Sequence, residues 1–584
     1  MNAELSAFAA DYGSSLPGFS ELSNEGRAWL LQQLRPLALP SGRILFREED
    51  PGDALYVLVA GSLCAFRQGV DRPHVLGHVS PGETVGEAAL FTGAVRSATV
   101  YACRDSELLM LDRPAFEALA LREPAATLAL ARHAFRRHSR LAGDNALHAG
   151  PRTIALLADS DDVDLGSLAT GLALAFGTLS NTAVVRFAEG SRMTTGQLHA
   201  LEQTHRRVLY VDEPGHRNWR TLCKRQADVW LHAVRADRPP DPHTRDPQTL
   251  DSSPVPRIEH LLLDARHGSG STAAWSQWFG GMLSHQFRSP SDLPRIARMV
   301  AGRGRGLVLA GGGARGFAHL GVVRALAEFD ALPDVVAGTS IGAVVAALMA
   351  RDVPLDEVLR IMKYAFVTRR PLAGWTLPLY AVNSGRRVSA LLREVFGEQR
   401  IEELALPFFC ISANLTDNLV HVHRQGSLWR ALRASVAIPG VLPPVIEGGK
   451  VFVDGAVLDN LPVGVMRQWP VDETIAVDVG AEHGITAMAD ETELPPWWAL
   501  LPDLFRRRTR PGIVQLLLRA GTVGATAASQ RASASADLLI APPLRDIDLL
   551  DWHAHERAME TGYRHACEVL ARRATLPRNT ATAH

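Results

Sequence analysis

Hydrophobic residues follow two different patterns in the N-terminal part of this chain. Between about residues 20 and 120, short apolar runs alternate with Gly and Pro turns, as at Ile44–Phe46 and at residues 55–59 and 75–79. This spacing is typical of a small all-β roll or barrel. At residues 123–143, apolar and basic residues recur every three to four positions instead, which predicts a helix that leaves the roll.

Further along the chain, strand-like and helical runs alternate, which predicts α/β structure. The strands predicted between residues 152 and 300 cover residues 153–157, 182–187, 207–211, 229–234 and 260–263. A stretch rich in Pro and Asp, residues 238–257, is predicted to be an exposed loop. From residue 306, strand, glycine-rich turn and helix follow one another twice before residue 350, which predicts a second, larger α/β domain.

Length and composition limit the possible classes of protein. The chain has 584 residues, of which 47% are hydrophobic and 21% charged, so it is globular and too long for one hydrophobic core. We therefore expect three domains, at residues 18–145, 152–300 and 305–575. The formal net charge of −1 gives no general attraction to nucleic acid, and no nucleic-acid partner is predicted.

Cysteines and apolar runs indicate the cellular compartment. The five cysteines are scattered, odd in number and without metal-ligand spacing, so we predict reduced thiols and no metal site. No basic segment followed by an apolar run marks a signal peptide, and the longest apolar stretch, residues 335–350, is interrupted by Gly338, Ser340 and Gly342. These features predict a cytoplasmic protein without a membrane span.

The pentapeptide Gly338-Thr339-Ser340-Ile341-Gly342 lies between an apolar β-branched run and a helix-forming run. A strand, tight turn and helix in this order lift a serine hydroxyl above the edge of a sheet, and the glycines leave room for strained backbone and an approaching acyl group. The pentapeptide alone is weak support in a glycine-rich chain, so its context carries the prediction. Ser340 is the candidate nucleophile.

A loop of small residues lies just upstream, between a predicted strand and a predicted helix. Its residues are Gly311, Gly312, Gly313, Ala314, Arg315 and Gly316. Small residues at a helix N-terminus allow backbone N–H groups to converge on an anion. One interpretation is a dinucleotide-phosphate loop, but the glycine spacing differs from that motif. The nearby nucleophile turn favours an oxyanion hole.

A third element, Asp454-Gly455-Ala456, follows a strand-like run and precedes Asn460. Taken alone, an Asp followed by Gly more often forms a turn than acts as a base. Its occurrence after the other two elements, in this order, makes Asp454 a candidate catalytic residue.

The three elements together resemble the patatin-like phospholipases, as do the intervening Ala434-Ser435 pair and residues 439–444. The resemblance implies an α/β domain with a mostly parallel sheet. It also implies a catalytic dyad without histidine, in which Ser340 is the nucleophile and Asp454 the general base, with no cofactor for catalysis. A carboxylate with an ordinary pKa of about 3.9 is a weak base for a serine, so burial and oxyanion donors are expected to contribute.

Two ionisable residues near the loop each have more than one interpretation. Arg315 either places the loop or an anionic group of the substrate, or forms a structural salt bridge. His319 lies on the helix after the loop, where packing or capping is favoured over membership of a Ser-His-Asp triad.

The N-terminal roll contains a turn of small residues that carries one carboxylate and one guanidinium. The candidate ligand residues are Gly86, Glu87, Ala88, Arg96 and Ser97. Arg96 and free N–H groups suit a phosphate, and Glu87 suits a ribose hydroxyl. The turn resembles the phosphate-binding cassette of cyclic-nucleotide-binding domains, which implies cyclic AMP or cyclic GMP as a regulatory ligand. The alternative is a roll that has lost its ligand, with Glu87 paired to Arg96.

The order of residues 208–228 and 285–306 resembles the region between nucleotide-binding and patatin domains in the neuropathy target esterase (NTE) family. The resemblance then covers residues from about 20 to 570. It implies hydrolysis of carboxylic esters of lipids, above all lysophospholipids, regulated or positioned by the nucleotide domain. Larger members carry a transmembrane anchor and several nucleotide-binding domains, whereas this chain shows one such domain and no anchor.

Residues 495–508 combine aromatic, aliphatic and basic residues. Either an interfacial membrane segment or a buried lid beside an Arg cluster fits this pattern, and a peripheral place on the inner face of the membrane is predicted. Two other classes of protein share features with this sequence. A nucleotide-responsive transcription factor is disfavoured because no basic recognition helix follows the roll. A nucleotide-responsive scaffold with a weak or silent hydrolase domain stays open.

Overall fold

The computed structural model describes residues 21–67, 74–142, 151–193, 195–240, 257–263, 271–278, 283–369, 371, 381–480 and 526–575. The chain divides into two compact units, residues 1–264 with 287–302 and residues 265–286 with 303–584. The first unit contains the roll and most of the middle α/β region. The three domain boundaries expected from the sequence stay a prediction.

The strands are β1 (Arg35–Leu39), β2 (Ile44–Phe46), β3 (Ala54–Ala60), β4 (Leu63–Arg67), β5 (His74–Val79), β6 (Thr84–Val85), β7 (Thr99–Ala102), β8 (Ser106–Asp112), β9 (Thr153–Ala158), β10 (Thr182–Val185), β11 (Arg207–Val211), β12 (Val229–Arg235), β13 (Arg257–Leu263), β14 (Leu283–Phe287), β15 (Gly304–Leu309), β16 (Val335–Gly338), β17 (Phe408–Asn414), β18 (Leu419–His423), β19 (Val445–Glu447), β20 (Lys450–Asp454), β21 (Val471–Val477) and β22 (Leu538–Ile540).

The α-helices are α1 (Asn24–Gln33), α2 (Glu87–Thr92), α3 (Arg113–Arg122), α4 (Pro124–Ala142), α5 (Leu165–Gly177), α6 (Phe187–Gly190), α7 (Thr195–Thr204), α8 (Arg217–Gln226), α9 (Ser271–Trp278), α10 (Leu293–Val300), α11 (Phe317–Glu328), α12 (Ile341–Ala350), α13 (Leu355–Met362), α14 (Arg386–Phe396), α15 (Leu428–Ser435), α16 (Val463–Met466), α17 (Thr526–Ser535) and α18 (His555–Thr575).

The N-terminal roll is built from two antiparallel sheets, with strand orders β1-β8-β3-β6 and β2-β7-β4-β5. Leu58 of the first sheet packs in one buried core with Leu63 and Val100 of the second. Helix α4 leaves the roll where the sequence predicts a helix. The predicted all-β roll is therefore confirmed.

The middle region is an α/β sheet whose strands run parallel in the order β10-β11-β9-β12-β13. Strands buried on both faces are continuous apolar runs, and β9 is buried along its whole length. Helices α5 and α10 pack on this sheet through Leu172, Phe176, Ile296 and Val300. Most of the predicted loop at residues 238–257 lies outside the described residues.

A buried arginine links the roll to the middle sheet within the first unit. Arg104, in the segment between β7 and β8, is 2% exposed and forms an ion pair of 2.6 Å with Glu202 of α7. Its Nε lies 3.6 Å from Asp228, and it donates a hydrogen bond to the Gly61 carbonyl. Removing one partner from such a buried pair costs about 3–5 kcal/mol, so this contact holds the two layers together.

The second unit is built on one larger sheet with the order β19-β20-β17-β16-β15-β21-β22, and β18 also pairs with β17. The pairs around β15, β16 and β21 are parallel, while β18, β19 and β20 form antiparallel pairs. The predicted mostly parallel sheet is confirmed. Because β15 and β16 are parallel neighbours, the loops after them open at the same edge of the sheet.

Helix α12 is apolar on all sides because it lies inside the protein. Apart from Met349, every residue of this helix is buried, with Val345 and Leu348 completely enclosed. Burying an aliphatic side chain of this size contributes about 1.5–3 kcal/mol. The helix is therefore a rigid base for the turn that precedes it.

Candidate active site

Ser340 lies at the sharp turn between β16 and α12. Its backbone angles, φ 55° and ψ −124°, are in a region that costs a residue with a side chain about 1–3 kcal/mol. The turn closes because two flanking residues lack Cβ atoms. A Cβ on Gly338 would lie 2.4 Å from the Gly342 backbone, and one on Gly342 would lie 2.2 Å from the Leu309 carbonyl oxygen. The predicted strand, turn and helix are therefore present at the pentapeptide.

Strand register sets Asp454 at the level of Ser340. Gly338 of β16 pairs with Cys410 of β17, and two positions further along β17, Ser412 pairs with Asp454 at the end of β20. Ser340 is likewise two positions beyond Gly338. The two side chains consequently reach the same edge of the sheet although β17 separates their strands.

The hydroxyl and the carboxylate are in direct contact. Ser340 Oγ donates a hydrogen bond of 2.7 Å to Asp454 Oδ2. The other carboxylate oxygen, Oδ1, accepts the backbone N–H of Ala456 at 2.9 Å, and the Asp454 N–H donates to the Ala437 carbonyl. These bonds fix the orientation of the carboxylate toward the hydroxyl.

Burial changes the acidity of this carboxylate. Asp454 is 4% exposed, and desolvation raises its pKa from 3.8 to about 6, although hydrogen bonds from Ala456 and Ser340 act in the opposite direction. A higher pKa makes the carboxylate a better proton acceptor. It is still ionised at neutral pH.

The glycine loop after β15 lies directly against the turn at Ser340. The N–H of Gly311 donates to Asn460 Oδ1 at 3.0 Å, and Asn460 Nδ2 donates back to the Gly311 carbonyl at 3.2 Å. A Cβ on Gly311 would lie 3.0 Å from the Cβ of Ser340. Only glycine allows this close approach of the two segments.

Hydrogen bonds assign three of the six loop amides to other acceptors. The Ala314 N–H donates to the Leu549 carbonyl, and the Arg315 N–H donates to the Gly312 carbonyl. With the Gly311 amide bonded to Asn460, the amides of Gly312 and Gly313 are the candidate donors to a ligand among those at residues 311–315. Gly313 has φ 55°, and a Cβ there would lie 2.2 Å from the Leu549 carbonyl oxygen.

The side chains of Arg315 and His319 form hydrogen bonds with backbone carbonyl groups beside the glycine loop. Arg315 is 8% exposed, and its Nε donates to the Ile547 carbonyl at 2.7 Å. His319 is completely buried, its Nε2 lies 2.9 Å from the Ala310 carbonyl oxygen, and burial lowers its pKa to about 4. The ring is therefore neutral, and its Nε2–H donates to Ala310. This geometry matches the packing role favoured for His319.

Two contacts of the turn were given no role by the sequence. Ser435 Oγ accepts the Ser340 N–H at 2.9 Å, and Asn460 brackets Gly311. Ser435 lies in a segment that carries the family resemblance and Asn460 lies shortly after another, and this is the only indication of them in the sequence. The sequence gives no indication that the carbonyls of Ile547 and Leu549 contact the loop, because every residue has a carbonyl.

The predicted nucleotide pocket places its arginine deep in the roll. The Arg96 side chain is 1% exposed and lies 4.2 Å from the centre of the Phe46 ring. It donates to the Gly86 carbonyl at 2.9 Å and forms an ion pair with Asp53 at 3.0 Å. The alternative pair with Glu87 is not among the ion pairs of the described residues.

The other pocket residues lie around the N-terminus of α2. Gly86, at φ 88°, precedes the buried Glu87 in the first turn of this helix. Ala88 and Ser97 are exposed, and the Ser97 carbonyl accepts a hydrogen bond from Arg67. The positive φ requires glycine at position 86, because a side chain there would be strained. Arg96 and the short turn are therefore in contact, as a phosphate site needs.

The predicted interfacial segment, residues 495–508, lies outside the described residues. Across the described parts of the chain, no helix has the length and apolar character needed to cross a membrane.

Comparisons with known proteins give two domain matches. Residues 307–467 match the family model of the patatin-like phospholipases, and residues 36–123 match that of the cyclic nucleotide-binding domain. The first match contains the glycine loop, Ser340 and Asp454. The second contains β2 to β8, most of β1 and the turn with Arg96.

Similar proteins cover most of the chain. An uncharacterised NTE family protein of Mycobacterium bovis is 29% identical over 571 residues, with 94% of each chain covered. The lysophospholipases NTE1 of Mycosarcoma maydis and of Cryptococcus neoformans var. neoformans are 29% and 30% identical. Both cover 79% of this chain, which spans 29% and 33% of their lengths.

The fold, the site and the domain matches define a hydrolase of the patatin-like phospholipase class behind a cyclic-nucleotide-binding domain. The similarity to an NTE family protein extends over 94% of the chain.

Proposed function

We propose that this protein hydrolyses carboxylic esters of phospholipids and lysophospholipids through a Ser340–Asp454 dyad and an acyl-enzyme on Ser340. The observation that carries the proposal is the hydrogen bond of 2.7 Å from the Ser340 hydroxyl to a buried Asp454 carboxylate. The lysophospholipase names of the fungal relatives support the substrate class.

In the acylation step, Asp454 takes the hydroxyl proton as Ser340 Oγ attacks the ester carbonyl carbon. The carbonyl oxygen becomes negatively charged, and the amides of Gly312 and Gly313 donate hydrogen bonds to it. When the intermediate collapses, the bond to the alcohol oxygen breaks. The proton on Asp454 passes to that oxygen, so the alcohol leaves neutral and the acyl group stays on Ser340.

Deacylation repeats the same proton transfers with water. Asp454 accepts a proton from the water that attacks the acyl carbon, and it returns the proton to Ser340 Oγ as the fatty acid leaves. A single carboxylate can act in both directions because its pKa of about 6 lies close to neutral pH. Each transfer is short, since Ser340 and Asp454 are already in contact.

A covalent label tests the nucleophile and the base together. The activated hydroxyl of Ser340 should attack the phosphorus of an alkyl fluorophosphonate as it would attack an acyl carbon. We therefore expect this reagent to modify Ser340 and no other serine. The labelling rate should rise about ten-fold per pH unit below pH ~6 and level off above it, because only ionised Asp454 accepts the proton. Peptide mass spectrometry would identify the labelled residue, and intact-mass spectrometry over about four pH units, from pH ~4.5 to ~8.5, would give the labelling rate.

Two results would contradict this proposal. One is labelling of another serine with Ser340 unmodified, and the other is a labelling rate that is flat across pH 6. Loss of labelling in denatured protein serves as the control for a folded site. An unreactive Ser340 in folded protein would favour the scaffold alternative.

We further propose that cyclic AMP or cyclic GMP binds the roll and regulates or positions the hydrolase. The phosphate would replace Asp53 on Arg96, while the amides at the start of α2 complete the site. The Asp53 side chain is 78% exposed, so its ion pair with Arg96 is readily exchanged. Peripheral association with the cytoplasmic face of the membrane belongs to the same proposal, because the lipid substrate lies there.

Replacing Arg96 with Ala is expected to weaken binding of the cyclic nucleotide by about 10²-fold or more, because a bidentate, charge-assisted contact is lost. Arg35→Ala is the matched control, since this arginine is 70% exposed on the same roll. Isothermal titration calorimetry with cyclic AMP and cyclic GMP would measure the affinities. Equal affinity for wild type and Arg96→Ala would reject the pocket.

A further inference from the structure

A cluster of two thiols and one imidazole lies on one sheet of the roll. Cys64 of β4 pairs directly with His78 of β5 and, on its other side, with Tyr101 of β7. Directly opposed residues of neighbouring strands share a face of the sheet. Cys103 follows Tyr101 by two positions, and its N–H donates to the Ser62 carbonyl, which keeps it beside the start of β4.

The three ligand atoms are close enough to hold one ion. The Sγ atoms of Cys64 and Cys103 and a ring nitrogen of His78 all lie within 4.8 Å of one another. Cys103 Sγ is 3.8 Å from His78 Nδ1. In a tetrahedral zinc site, bonds of about 2.3 Å to sulfur and about 2.0–2.1 Å to nitrogen separate these atoms by about 3.6 Å. Small side-chain rotations are sufficient to reach that geometry.

The burial of the cluster suits a cation that enters from solvent. Cys64 and Cys103 are 1% and 6% exposed, whereas His78 is exposed. The imidazole therefore lies on the solvent side of the cluster, and the two sulfurs lie on its buried side. Phe66, Tyr101 and the sulfurs make one small apolar group on this face of the sheet.

A purely apolar role explains the burial of the thiols but not the imidazole. Cysteine packs as a small hydrophobic residue, and such a core has no need of a ring nitrogen at 3.8 Å. Two sulfurs and one nitrogen are the donors preferred by thiophilic d¹⁰ cations. The wide sequence separation of the cysteines hid this arrangement, because the strands and not the spacing bring them together.

We propose that Cys64, His78 and Cys103 bind one thiophilic cation of the Zn²⁺ class, with water in the fourth position. Binding releases the two thiol protons to solvent, so Zn²⁺ and two thiolates give a neutral centre. A neutral centre is suited to the buried position of the two sulfurs, since no net charge is left in the apolar surroundings. This proposal is independent of the hydrolase activity and of the nucleotide pocket.

The site would tie three segments of the roll together. Its ligands come from β4, β5 and the segment after β7, and the residue after Cys103 is Arg104, which forms the buried ion pair with Glu202. A cation bound here is expected to stabilise the roll where it meets the middle sheet.

Cobalt spectroscopy on the full-length chain tests the proposal. Reduced protein that carries no histidine tag is titrated with Co²⁺ in a buffer without thiols. We expect one Co²⁺ per chain, with a thiolate-to-cobalt charge-transfer band in the near ultraviolet and the intense visible bands of tetrahedral coordination. Addition of Zn²⁺ should abolish these bands at one equivalent, and one equivalent of Zn²⁺ should be retained after desalting.

Variants assign the bands to these residues. Cys64→Ser and Cys103→Ser should each reduce the charge-transfer band, and His78→Ala should weaken Co²⁺ binding by about ten-fold or more. Cys567→Ser, in the last helix, is the control and should leave the spectrum unchanged. His78 is exposed, so His78→Ala gives an answer even if a cysteine variant fails to fold. Absence of stoichiometric tetrahedral Co²⁺ in wild type, or a spectrum unaffected by His78→Ala, would overturn the proposal.

Discussion

Asp454→Asn is expected to lower kcat for fatty-acid release from lysophosphatidylcholine by about 10⁴-fold. The amide keeps the shape of the side chain and can still accept the Ala456 N–H, so the fold and KM should change little. It cannot take the proton of Ser340, and that is the step assigned to the carboxylate in the proposed mechanism. Ser340→Ala should cause a loss of similar size because it removes the nucleophile.

The double variant distinguishes a dyad from two independent residues. If Ser340 and Asp454 act as one unit, combining the two changes should cost no more than the larger single loss. Asp417→Asn, which alters an exposed carboxylate of the same domain, is the control. Release of fatty acid and hydrolysis of a short p-nitrophenyl ester would be measured for all variants. Retention of a substantial fraction of wild-type kcat by Asp454→Asn would exclude it as the base.

Gly313→Ala is expected to lower kcat by about 10²–10³-fold, the usual cost of one lost oxyanion donor. The added Cβ would lie 2.2 Å from the Leu549 carbonyl oxygen, and φ at Gly313 is 55°. The loop must therefore move, and its amides no longer point at the oxyanion. The change should appear in kcat more than in KM, because the oxyanion forms only in the transition state.

Gly464→Ala is the matched control for this glycine. A Cβ at position 464 meets no heavy atom within 4 Å, and the residue lies in α16 of the same domain. It should keep wild-type kcat and melting temperature. Wild-type kcat for Gly313→Ala in folded protein would show that the loop amides do not bind the oxyanion.

Local patterns predicted the parts of the fold that are set by residues close in sequence. The short apolar runs and turns of the roll, the buried strand β11 at its observed bounds and the turn around Ser340 all follow from nearby residues. Asp454 came from the order of three motifs in a known family. Its distance from Ser340 could not come from periodicity, because it depends on the register of β17 with both β16 and β20.

Contacts between distant backbone groups could not be predicted. The glycine loop was expected to present its amides as a set, but the Gly311 and Ala314 amides have acceptors at Asn460 and Leu549. A carbonyl acceptor carries no residue preference, so the sequence around Leu549 gives no indication of this contact. The Cys64, His78 and Cys103 cluster was missed for a related reason, since strand pairing creates a closeness that linear spacing does not show.

The anchoring of the loop by Ile547 and Leu549 has a consequence for biosynthesis. A ribosome makes the loop, Ser340 and Asp454 first, but the carbonyls that hold Arg315 and Ala314 emerge about a hundred residues after Asp454. We therefore expect the glycine loop of a nascent chain to lack these two acceptors until the late segment folds back onto it. On the proposed mechanism, the chain becomes active only after its C-terminal segment has been translated.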